Sequence, residues 1–60
     1  MKALARYKSQ NGQVVGVLYS CPFGLYMYKI WICGRLEAYE RNFSSYNSAN
    51  CNFQSAIKGF

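Results

Sequence analysis

Histidine is absent from this 60-residue chain, and carboxylates are almost absent: Glu37 and Glu40 are the only acids. With no imidazole and no second acidic cluster, the chain lacks a general-base or nucleophile–base set, so enzymatic activity is not expected. There is no CxxC pair. Three isolated cysteines, Cys21, Cys33 and Cys51, without histidine match no common zinc pattern, so neither a metal nor a cofactor is expected. The odd cysteine count also disfavours a secreted disulfide scaffold. Arg6 and Lys8 interrupt any apolar leader, so the thiols are expected to be free in a reducing, cytoplasmic setting. Long apolar runs are lacking too. Ser9 to Tyr28 carries no charge, but Gly16, Pro22 and Gly24 interrupt it and Ser-Gln-Asn-Gly-Gln opens it. It reads as strands and turns rather than a span, and no membrane partner is expected.

What is present is apolar and aromatic. Hydrophobic residues make up 52% and aromatics 18%, so the composition is not that of a disordered chain. The expectation is one small domain over residues 1–60, near the lower size limit for a self-sufficient core. Seven Lys and Arg against two acids give +5, yet charged residues total only 15%, below the roughly 25% of ordinary domains. The cations are scattered along the chain rather than clustered. This balance suits a partner with an acidic surface and permits nucleic acid.

Turn chemistry divides the chain. Asn11-Gly12 between apolar-rich runs suits a two-residue hairpin turn. Cys21-Pro22-Phe23-Gly24 places Pro and Gly where a type I turn takes them. Gly34-Arg35 marks a third turn. The strands so bounded are about Ala3–Ser9, Gln13–Ser20, Leu25–Cys33 and Leu36–Asn42, the third being the most β-prone. The period then changes. Ser44 or Ser45 can cap a helix whose apolar stripe is Tyr46, Ala49, Phe53, Ala56, Ile57 and Phe60, and Lys58-Gly59 suits its end. The fold class expected is α+β: a four-stranded antiparallel meander followed by one C-terminal helix packed on one face, in the order β-β-β-β-α.

Two-residue turns at Asn11-Gly12, Pro22-Phe23 and Gly34-Arg35 would set the register. One face would then carry Arg6, Lys8, Val17, Tyr19, Tyr26, Tyr28, Ile30, Tyr39, Arg41 and Phe43. The other would carry Ala5, Gly16, Leu18, Met27, Lys29, Trp31 and Ala38, with Lys29 opposite Glu40 and Tyr28 opposite Arg41. One short helix covers one face, and a second apolar face left open marks an interaction site. The small residues Ala3, Ala5, Gly16 and Ala38 favour the second face for the helix. That leaves Arg6, Lys8, Tyr19, Tyr26, Tyr28, Tyr39 and Arg41 as the candidate partner-binding set. Tyr, Ser, Asn and Gly, the residue types typical of protein-recognition surfaces, are abundant in the chain.

Phe43-Ser44-Ser45, with Ala49, Phe53 and Ala56-Ile57 at helical spacing, follows the strand Arg35–Asn42. This segment resembles the strand-to-helix passage of Apetala-type (ethylene-response-factor) DNA-binding domains and of the arm-binding domains of phage integrases. The resemblance spans roughly Tyr26–Ile57. It implies a sheet-plus-helix layout whose sheet face reads DNA, with Lys29, Trp31 and Arg41 on the reading strands. The size and style of the chain also resemble small inhibitors encoded by phages and mobile elements, among them inhibitors of CRISPR and other nucleic-acid-handling machinery. The leading expectation is a non-enzymatic protein-binding inhibitor or modulator acting on a larger protein or nucleoprotein complex. Direct DNA or RNA binding by the same face, and a structural homodimer, are the alternatives.

Overall fold

The computed structural model describes all 60 residues. Four antiparallel strands, β1 (Lys2–Lys8), β2 (Val14–Cys21), β3 (Leu25–Ile32) and β4 (Arg35–Phe43), form one open sheet in sequential order. A helix, α1 (Tyr46–Lys58), packs across β2 and β3. This is the α+β meander-plus-helix expected from the turn and period signals.

The first register is as expected although its turn is not. Lys8 pairs with Val15 and Arg6 with Val17, but the loop between them is wider than two residues. Gly12 N–H donates to the Ser9 carbonyl at 2.9 Å, and Ser9 N–H to the Val14 carbonyl at 2.9 Å. The Asn11 side-chain oxygen accepts from the Ser9 hydroxyl at 2.7 Å and from Gln13 N–H at 3.0 Å, holding the loop from within. Further along, Leu4 is the extra residue of a bulge, so Ala3 rather than Leu4 opposes Tyr19.

The second register differs by one residue, with large consequences. Pro22–Gly24 forms a tight turn in which Phe23 is left-handed, and Cys21 pairs with Leu25, making a three-residue loop instead of two. Side chains alternate with period two, so the one-residue slip turns every β3 side chain to the opposite face. Tyr28 pairs with Leu18 and Ile30 with Gly16, while Lys29 pairs with Val17.

The third hairpin turns at Cys33-Gly34 rather than Gly34-Arg35. Both central residues have positive φ, +51° and +82°, as a type I′ turn requires. Ile32 therefore pairs with Arg35, and bulges in β4 shift the register twice more. Lys29 opposes Tyr39, not Glu40, and Tyr28 opposes Glu40, not Arg41. Asn42 takes φ of +69° within the second irregularity, a conformation Asn tolerates better than most side chains.

The core lies between helix and sheet: Leu18, Tyr28, Ile30, Ala49 and Phe53 form its centre, with Ile57, Ala56 and Phe43 packed around them. Phe53 meets Tyr28 at 5.6 Å between ring centroids, and Phe43 stacks on Tyr28 at 6.0 Å. Gly16 is what lets the helix come this close. A Cβ built there would lie 2.7 Å from the Phe53 ring. The apolar stripe of α1 buries Ala49 and Phe53, half-buries Ala56 and Ile57, and leaves Tyr46 and Phe60 exposed at the two ends.

Asn50 and Asn52 are weak helix formers, so α1 depends on packing and on its caps. The Ser45 hydroxyl accepts from Ser48 N–H at 3.2 Å, and Gly59 N–H reaches back to the Ala56 carbonyl at 3.1 Å. Ser45→Ala removes the N-terminal acceptor, and the expected loss is about 1 kcal/mol. A urea melt followed by circular dichroism measures it, and an unchanged midpoint would mean that the cap contributes nothing.

Both sheet edges are blunted. β1 carries Lys2, Arg6 and Lys8 with a bulge, and β4 carries Arg35 and Arg41 with two irregularities. Charges and bulges on edge strands oppose pairing with another sheet.

Candidate docking face

The face away from α1 is organised in cross-strand rows. One row runs Arg6, Val17, Lys29, Tyr39, and the next runs Lys8, Val15, Trp31, Leu36. A third brings Ala3, Tyr19 and Met27 together. Adjacent strands stand about 4.8 Å apart, so Arg6 and Lys29 are about 10 Å from each other at the backbone. Arg41 joins this face through a shallow groove that it shares with Met27, Lys29 and Tyr39, and which Met1 and Leu36 complete.

Of the seven residues expected to bind a partner, five share this face: Arg6, Lys8, Tyr19, Tyr39 and Arg41. The other two are corrected. Tyr28 is only 4% exposed, beneath the helix, and Tyr26 lies on the same helix-covered side, edge-on to Tyr46 at 6.0 Å. Met27, Lys29 and Trp31 take their places on the open face. The physical reason is the extra loop residue before β3. Burial, and secondarily the Glu40 carboxylate beside it, pushes the Tyr28 phenol above its ordinary pKa. Tyr28 is therefore a neutral core aromatic.

A signal for this assignment was present in β3. Lys29 is the one charged residue in Leu25–Ile32. An unpaired ammonium is not buried under a helix, so the parity of Lys29 places Met27 and Trp31 on the open side and Tyr28 and Ile30 on the closed one. The sequence expectation used Glu40 to balance Lys29 and so missed this.

The open face is apolar underneath and positive above. Val17 and Met27 are each 8% exposed although no element covers them. Each is flanked in its own row and along its strand by longer side chains, whose stems shield it. Lys29 leans towards Tyr19, its ammonium 6.0 Å from the ring centroid. Four cations, Arg6, Lys8, Lys29 and Arg41, therefore stand around Tyr19, Trp31 and Tyr39. Glu40 lies opposite Tyr28 on the helix side.

Away from this face, the hollow beside Ser9, Gln10 and Asn11 holds neither cation nor aromatic ring. Cys33 and Cys51 are exposed and Cys21 half-buried, and all three thiols are unpaired. No helix is long and apolar enough to cross a membrane. The β2–β3 turn presents an unusual residue. Phe23 takes φ of +66° and is 98% exposed. That conformation costs a non-glycine residue about 1–2 kcal/mol, and no burial offsets it here.

No family model, curated protein or solved structure matches the chain.

Proposed function

We propose that the protein is a non-enzymatic docking domain that modulates or inhibits a larger assembly by seating its helix-free sheet face on an acidic protein surface. The observation that carries this reading is the groove of Met1, Met27, Leu36 and Tyr39 bounded by Lys29 and Arg41. Methionine-lined apolar surface adapts to protein partners, and flanking cations select acidic rims and speed encounter. Self-pairing of this face is disfavoured. A two-fold dimer would set four cations against four, and both sheet edges are protected.

Direct binding of single-stranded nucleic acid is the second reading. It is favoured by one specific observation: Lys29, Trp31 and Arg41 reach the same open face, beside Tyr39. Aromatic rings among cations can stack on bases while phosphates are neutralised.

The test combines charge reversal with placement of a probe. A photo-crosslinking side chain at Tyr39 should capture a protein partner in cells, whereas the same group at Gln54, on the exposed side of the helix, should not. Arg6→Glu with Arg41→Glu should lower capture at least about tenfold. Both residues are exposed, so stability should change by less than about 0.5 kcal/mol. Capture that survives the charge reversal would remove this face from the mechanism. Labelled mixed-sequence DNA and RNA, titrated at about 50 and 200 mM salt, separate the second reading. Micromolar binding that collapses at the higher salt would replace the protein partner with nucleic acid.

A further inference from the structure

The β2–β3 turn carries an aromatic ring that the fold does not use. Phe23 is 98% exposed and its backbone sits at φ of +66°, where glycine or asparagine is at ease. Cys21 to Leu25 supplies no charge and no side-chain oxygen or nitrogen, so anything recognising this tip does so by burying it. The sheet register fixes its surroundings. Lys2 pairs with Ser20, which sets Met1, 71% exposed, level with the turn. Tyr46 stands at the same end, edge-on to Tyr26. Lys2 is level with Ser20 and Tyr26, and Arg41 with Met27, one and two residues inward of the Cys21–Leu25 pair, roughly 3–7 Å along the strands.

The order from the end inward is therefore an apolar tip and then cations. We propose that this end of the sheet docks on an anionic lipid surface. Phe23 and Met1 enter the boundary between headgroups and acyl chains, and Lys2 and Arg41 lie at headgroup depth. A bilayer receives a lone projecting ring without a matching pocket, and its anionic leaflet complements a chain of net charge +5. This is a surface contact, not a span. It shares Met1 and Arg41 with the docking groove but turns on Phe23, which lies outside that groove, and it does not depend on that face having a protein partner.

Co-sedimentation with extruded vesicles tests it, using pure phosphatidylcholine and equal parts phosphatidylcholine and phosphatidylserine. The wild-type chain should partition onto the phosphatidylserine vesicles and weaken with added salt. Phe23→Asn should lower that partition by about tenfold, with a melt no lower than that of the wild type, because Asn accepts the positive φ and Phe23 packs on nothing. Phe23→Gly serves as the second variant. Phe60→Asn removes another exposed aromatic, beyond the far end of the helix, and should leave partition unchanged. A wild-type chain that ignores the phosphatidylserine vesicles would overturn the proposal and leave Phe23 for a protein pocket. Equal partition of Phe23→Asn and wild type, or an equal loss in Phe60→Asn, would overturn it as well. Because no protein partner enters the assay, its outcome is independent of the docking-face tests.

Discussion

Phe53→Ala should remove a large share of the domain's stability. The Phe53 ring is 1% exposed and fills the space between Tyr28 and Gly16. Truncating a buried phenylalanine to alanine costs about 3–5 kcal/mol. A domain of this size holds about 3–9 kcal/mol in all, so one side chain carries a large share. The loss has two parts: the apolar area returned to water, and the void left between helix and sheet. Phe53→Leu should be milder, since leucine refills part of the void. A urea titration followed by near-ultraviolet circular dichroism measures both, because the Tyr28, Phe43 and Phe53 rings report on their packing. If Phe53→Ala lost less than about 1 kcal/mol, α1 would not be docked as described.

Gly16→Ala is the second large effect, and its sign opposes strand propensity. Alanine in a strand should ordinarily help, because glycine there loses more backbone entropy on folding. Here the added methyl would stand 2.7 and 2.9 Å from two carbons of the Phe53 ring. That ring is enclosed and cannot swing away into solvent, so the helix must lift. The expected destabilisation is about 1–3 kcal/mol, and larger for Gly16→Val. The diagnostic measurement is a double-mutant cycle. In a Phe53→Leu background the cost of Gly16→Ala should shrink, because the conflict is with one ring. Costs that simply add would mean that Gly16 acts on the strand alone and not on helix approach.

The same contact shows how much of the fold was legible. Asn11-Gly12 located the first hairpin and its register, even though the loop is wider than two residues. The switch from period two to the stripe Ala49, Phe53, Ala56, Ile57 located the helix, and Ser45 its cap. Ala5 and Gly16 pointed to the side the helix takes, whereas the bulge at Leu4 turns Ala3 to the open face instead. These readings succeed because each depends on neighbours in sequence. Turn residues carry φ preferences, caps supply acceptors and stripes have a period, all within a few positions.

The candidate site was less legible because a face is a product of register. Pro22-Phe23-Gly24 supports a two-residue or a three-residue loop, and no local preference decides between them. Phe23 enters the left-handed region that its side chain disfavours, which a residue-by-residue reading would not assign. That single extra loop residue put Tyr26 and Tyr28 under the helix and brought Met27, Lys29 and Trp31 out. In β4, the shifts around Ala38 and Asn42 changed the partners of Lys29 and Tyr28 again.

Composition and local pattern thus determined the positive charge balance, the four strands, the helix and the open sheet face. They also placed Arg6, Lys8, Tyr19, Tyr39 and Arg41 together. Only the tertiary structure decided which β3 residues join them. The alternating pattern of β3 is apolar on both sides, and Lys29 alone marks one of them as open. Close packing of Phe53 against Gly16, Tyr28 and Ile30 selects one.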